Sequence, residues 1–208
     1  MTLSYAIPVC NEWLQLEYLL NYLLQKKREQ DEIVVQCDEG NTTPSVYQVL
    51  KQFSDYKQLK VVEFPLNKDF ASFKNNLKDA CSGDYIFQID ADEYPDDYLM
   101  SMVEPTIKMN GNVDVFWVPR INKVNGLTQE HIDKWRWNID SKGRVNFPDY
   151  QCRIFKNVPH IKWKNKVHEQ LIGHKSQSQL PANDEFCLIH FKDITRQEKQ
   201  NEYYNAIR

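Results

Sequence analysis

The sequence predicts an α/β fold: a mostly parallel sheet with helices on both faces and a smaller, differently patterned C-terminal region. Three observations point there. Short apolar runs alternate with amphipathic ones over the first 119 residues in the order β-α-β-α-β-α-β. The run Glu32–Cys37 is apolar enough for a strand covered on both faces. Polar clusters follow the first, second and fourth strands, at the edge where such sheets bind ligands.

The elements follow in order. Leu3–Pro8 reads as a strand closed by proline. Asn11 can cap a helix with Trp13, Leu16, Leu20, Leu23 and Leu24 on one face. Lys26, Lys27 and Arg28 fall in its last turn, where cations suit the helix dipole. After the strand Glu32–Cys37, the polar turn up to Pro44 opens a second helix. Lys60–Phe64 is a third strand, and 68–81 a helix with Phe70, Phe73, Leu77 and Cys81 on one face. Asp84–Ile89 is a fourth strand running straight into Asp90-Ala91-Asp92-Glu93. A helix over 96–109 and a strand over Val113–Val118 complete this part. Beyond it, Tyr150–Phe155, Lys162–Glu169 and Glu185–His190 read as short strands and 193–208 as a terminal helix.

Composition narrows the class. The chain has 208 residues, 41% hydrophobic and 12% aromatic, enough for a buried core and too apolar for global disorder. No apolar run approaches the roughly 20 residues of a membrane span, and no secretory signal pattern opens the chain. The 5 Cys are scattered without a C-x-x-C, which points to reduced thiols in a cytoplasmic protein. Net charge is −3 but uneven. Residues 1–119 hold 19 acids against 10 bases, and residues 120–166 hold 11 bases against 4 acids. An acidic half beside a basic segment can set metal-binding carboxylates next to a surface for phosphates.

The strongest chemical signal is Asp90-Ala91-Asp92-Glu93. Carboxylates so close raise one another's pKa unless a cation neutralises them. A hard divalent ion takes oxygen ligands and keeps positions open for substrate phosphates. Phosphate-loop, dinucleotide and hydrolase-elbow motifs are absent. His168-Glu169 fails the H-E-x-x-H zinc pattern, since the next histidine is His174. His131, His160 and His174 read as structural residues.

Five blocks in order resemble the GT-A glycosyltransferases of family 2. Ala6–Glu12 resembles the family's opening strand-P-x-x-N-E, and Cys37–Thr43 its DDGSTD loop, with Glu39, Asn41 and Thr43 substituted. Asn67–Asn75 is similar to N-x-x-F-A-x-x-R-N, with Lys74 for the arginine. Ala80–Glu93 resembles A-x-G-D-(aromatic)-hydrophobics-D-A-D-E. Gln151–Phe155 and Val167–Glu169 resemble the R-L-F and V-H-E elements of one branch.

The resemblance implies a GT-A, Rossmann-like fold that moves a sugar from a nucleoside diphosphate donor to an acceptor nucleophile, with inversion. It implies a donor-binding half over 1–119 and an acceptor-side, closing region over 120–208. Pro8, Asn11 and Glu12 would flank the nucleoside, and Asp38 would accept hydrogen bonds from base or ribose. Asp92 would hold Mn²⁺ or Mg²⁺, with Asp90 near metal or ribose across Ala91. Lys74 would pair with donor phosphate, less directionally than arginine. His168 would add a metal or phosphate contact, with His190 as second choice. Asp149 is the first candidate for general base and Glu169 the alternative, although Pro148 stands where the family's first acid would be. The acceptor could be a saccharide, a lipid-linked saccharide, a protein or nucleic acid. Two other functions fit parts of the pattern. A nucleotidyltransferase shares the sheet and acidic pair, and a non-catalytic saccharide or nucleic-acid module would explain the basic, Trp-containing stretch 120–166.

Overall fold

A computed structural model describes residues 1–206. The strands are β1 (Leu3–Val9), β2 (Glu32–Asp38), β3 (Leu59–Phe64), β4 (Tyr85–Gln88), β5 (Glu93–Pro95), β6 (Val115–Asn125), β7 (Val145–Lys156), β8 (Lys162–Lys164), β9 (Gln170–Ile172), β10 (Gln177–Gln179) and β11 (Leu188–Asp193). The helices are α1 (Trp13–Lys26), α2 (Pro44–Gln52), α3 (Phe70–Ala80), α4 (Asp97–Met109), α5 (Gln129–Trp135) and α6 (Ile194–Ala206). The last two residues of the expected terminal helix lie outside the described residues.

The main sheet runs β3-β2-β1-β4-β7-β6-β11-β5, with β10 beside β6. The first four strands are parallel, as expected. The rest makes the sheet mixed: β7 lies antiparallel to both β4 and β6, and β11 is parallel to β6 but antiparallel to β5. Strand order reverses at β1/β4, so a crevice opens beyond their carboxyl ends.

Successive strand residues face opposite sides, and both sides are covered. Tyr5, Ile7, Ile33, Val35 and Phe87 join Leu16, Leu19, Leu20 and Leu23 of α1 in one core. Ala6, Val34, Ile86 and Phe155 join Leu77 and Cys81 of α3 in the other. Each fully buried Val, Leu, Ile or Phe among them contributes about 1.5–3 kcal/mol.

Several local expectations are corrected. Glu12, not Asn11, sits at the cap position of α1, and its carboxylate folds back to accept from the Cys10 and Asn11 amides (both 2.9 Å). Trp13 is exposed, Leu24 only partly buried, and Leu19 takes a place on the buried face. Asp69 caps α3, accepting from the Ser72 amide (3.0 Å). The strand expected over 162–169 stops at Lys164 and turns back as a hairpin through Asn165 and His168, both with positive φ. The boundary drawn at 119/120 falls inside β6. Gly83 lets Leu3-Ser4 pass closely: a Cβ there would lie 2.7 Å from the Ser4 amide nitrogen.

Candidate active site

Register builds the site. Phe87 pairs with Ile154 across the antiparallel β4–β7 ladder, so the preceding residues of β7 run past the carboxyl end of β4. That sets Arg153 against the 90–93 bend. Its guanidinium donates to Asp90, and to Glu93 at 2.7 Å. Arg153 thus has two carboxylate partners. Arg120 faces Asp149 in the β6–β7 register and bridges it (2.6 Å) to Glu93 (2.6 Å). His190 faces Asn122 on β6 and Glu93 on β5. Its Nδ1 meets Asn122 Oδ1 at 2.8 Å, and its Nε2 lies 3.4 Å from Asp92 Oδ2. From α6, Arg196 bridges Glu12 and Asp92.

Two cavities meet at this bend and share Lys74, Asp90, Asp92 and Glu169. The smaller, about 240 Å³, is also walled by Pro8, Glu12, Asp38, Ala91 and Arg196. The larger, about 490 Å³, is also walled by Arg120, Asn122, Asp149, His168 and His190. Most of the residues expected from the sequence are thus brought together. Asn11 is not among either wall and stands exposed at the rim. Asp38 is buried and already accepts from the Leu66 amide (2.9 Å). Lys74 pairs with Glu169, and its ammonium lies 4.6 Å from the Trp163 ring centre.

Electrostatics keep the acids ionised. Burial pushes the Asp90 carboxyl up, but the charges of Arg153, Lys74 and Arg120 outweigh it and hold Asp90 well below the usual range. At Asp92 burial is overcome by the hydrogen bond and charge of His190, with help from Arg196. At Asp149 it is overcome by Arg120, Asn122 and Gln151.

The donor set can be judged as a metal site. Among the described residues no three His, Cys, Asp or Glu side chains form a metal-binding group. Asp90, Asp92 and Glu169 face both cavities; Arg153 engages Asp90 and Lys74 engages Glu169, while Asp92 has the longer contacts, 3.4 Å to His190 and 3.5 Å to Arg196. That fits the mode in which Mg²⁺ or Mn²⁺ is held by one or two carboxylates, with substrate phosphates and water completing the shell. The His190 imidazole lies beside Asp92, and His168 lines the larger cavity from the β8–β9 loop.

The sequence model of Glycosyl transferase family 2 matches residues 4–180. The chain belongs to that family. No curated protein matches the sequence. Among solved structures, the fold is similar to TarS of S. aureus. TarS 1–349 aligns with a TM-score of 0.62 at 14% identity, over 96% of this chain and 63% of that one. Its complex with UDP-GlcNAc gives 0.65 at 16% identity, over 92% and 59%, and its complex with UDP 0.63 at 15%, over 92% and 60%. The chain therefore spans less than two thirds of the length of these neighbours.

This family 2 chain carries site residues that sequence reasoning passed over. Arg120, Asn122 and Arg196 had no motif to mark them, and His190 was only a second choice. His190 and Arg196 also lie beyond the matched segment 4–180. One signal was available: Arg120 and Asn122 are polar residues two apart, continuing an apolar strand.

Proposed function

We propose that this chain is a glycosyltransferase that uses Mn²⁺ or Mg²⁺ to move a sugar from a nucleoside diphosphate donor to an acceptor hydroxyl, with inversion. One observation carries the reading. A cavity walled by the carboxyl ends of β1 and β2 and by the loops after β1 and β3 meets a second cavity holding Asp149 and His190, and the meeting point is Asp90–Asp92. The first suits a nucleotide and the second an acceptor, which makes residues 1–119 the main donor side and 120–208 the main acceptor side. Family membership supports the reaction class. The UDP and UDP-GlcNAc complexes of TarS make uridine diphosphate sugars the first donors to try.

The acceptor oxygen bonds to the anomeric carbon as the bond from that carbon to the diphosphate oxygen breaks. The acceptor proton passes to a carboxylate, and the nucleoside diphosphate leaves with the bonding pair. Asp149 is the assigned base: Oδ2 is held by Arg120 and Asn122, while Oδ1 accepts from Gln151 (2.7 Å). Its low basicity suffices because the hydroxyl acidifies as its oxygen bonds to carbon. Lys74 and Arg196 are the cations of the donor cavity, placed to meet phosphate oxygens once these displace Glu169 and Glu12. When bound at Asp92, the metal neutralises charge on the departing diphosphate.

Nucleotide-sugars screened with Mn²⁺ for hydrolysis and thermal stabilisation test the reading. Asp92→Ala is expected to abolish both turnover and metal-dependent donor stabilisation while the protein still melts cooperatively. Full turnover of that variant in chelator-treated buffer would refute the metal role.

A further inference from the structure

A third cavity, about 680 Å³, opens on the outer side of the acceptor cavity. Val124 and Lys192 line both, so the two are neighbours. Its walls also carry Lys123, Lys142 and Phe191. Phe191 is 52% exposed, although it is stacked on Tyr94 with ring centres 6.1 Å apart. The Lys123 ammonium lies 5.5 Å from the Phe191 ring centre. A half-exposed aromatic ring kept in place from behind, with an ammonium beside it, offers apolar contact and positive charge at one spot.

The charge balance of the groove favours an anion. Its one carboxylate, Asp193, is turned to the Thr195 amide (2.9 Å) and hydroxyl. Lys142 pairs with Asp184, which Arg144 also holds, so Lys142 can swing to a ligand without stranding that carboxylate. The groove lies mainly on the segment where bases outnumber acids 11 to 4 and on β11.

We propose that this groove carries the acceptor, and that the acceptor is an anionic saccharide. Its phosphate or carboxylate groups sit at Lys123 and Lys142, one sugar ring lies against Phe191, and the reacting hydroxyl reaches past Val124 and Lys192 toward Asp149. This rests on the transferase reading and adds the acceptor class to it. A neutral glycan would gain hydrogen bonds but no ion pair from the lysines, whereas each ion pair on an anionic one weakens with salt.

The test uses the whole chain and an array of matched neutral, uronate-bearing and phosphate-bearing oligosaccharides. Retention is expected for anionic members only, with at least a tenfold loss of affinity between about 50 and 300 mM NaCl. The double variant K123E/K142E should lose that retention at least tenfold, and Phe191→Ala should lose it several-fold. Both should keep wild-type melting temperature and wild-type donor hydrolysis. Equal retention of neutral members, retention of none, an unaffected double variant, or tighter binding of a single-stranded oligonucleotide than of any glycan would each overturn the proposal. Donor hydrolysis is read separately, so failure there strikes the transferase reading and not the groove's preference.

Discussion

Replacing Arg153 by Met removes the guanidinium that ties Asp90 to Glu93 while keeping an unbranched apolar stem. Arg153 is 3% exposed and the Glu93 side chain fully buried. The native cluster sets two guanidinium groups, Arg153 and Arg120, against three carboxylates, Asp90, Glu93 and Asp149. After the change, one guanidinium faces three carboxylates. Breaking a buried pair from one side costs about 3–5 kcal/mol. The lower end applies here, because Arg120 stays on Glu93 and Asp90 is one-third exposed. For a chain of this size about 3 kcal/mol lowers Tm by roughly 6–12 °C.

The loss also has a pH signature. Asp90 is held below its unfolded value, so it stabilises the fold above about pH 3.9 and loses that contribution as pH falls through the depressed native value. Without Arg153 the carboxyl rises and takes up a proton more readily. The Tm gap between wild type and variant is therefore widest at neutral pH and narrows as pH falls below about 4, through the window in which wild type loses this contribution. Adding Glu93→Gln should recover part of the loss, a coupling that a double-mutant cycle reads directly. Thermal melts across that range are the assay. A neutral-pH gap under 2 °C, or a gap independent of pH, would refute the charge accounting.

Asp149→Asn is expected to lower kcat roughly 10²–10⁴-fold while donor-induced thermal stabilisation persists, and Glu169→Gln to lower it less; the reverse ranking would transfer the base role to Glu169. Gly83→Ala forces a Cβ to within 2.8 Å of the Leu3 carbonyl carbon, so its Tm should fall by an amount matching about 1–3 kcal/mol, and an unchanged melt would contradict the close approach. Asp114 accepts from the Lys175 amide (2.8 Å) and pairs with Lys156 (2.9 Å), which brings its carboxyl down to about 2. Its stabilising effect, about 1 kcal/mol after solvent screening, is present above about pH 3.9 and lost as pH falls through about 2. Asp114→Asn should therefore melt lower than wild type at pH 6, and the gap should close in acid.

Residues that act through local pattern were legible in the chain. The parallel half of the sheet follows from the spacing of Leu3–Pro8, Glu32–Cys37, Lys60–Phe64 and Asp84–Ile89, because each run needs only local periodicity to be seen. Asp38, Lys74, Asp90 and Asp92 stand just after strands or on a helix beside them, so their meeting in one crevice follows from topology. The antiparallel half was less legible. Periodicity does not reveal that β7 inserts between β4 and β6, and the expected extent of its neighbours shifted accordingly.

What the sequence determined by itself was the fold class, the family and the acidic bend, since hydrophobic period and motif order are properties of neighbours along the chain. Tertiary structure alone decided the partners. Arg153 meets Asp90 from 63 residues away, and Arg196 meets Glu12 from 184 away. It also brought His190 beside Asp92. The reason is register: a one-residue slip of β7 would turn Arg153, and one of β11 would turn His190, to the other face, and that alignment is set by packing across the whole sheet.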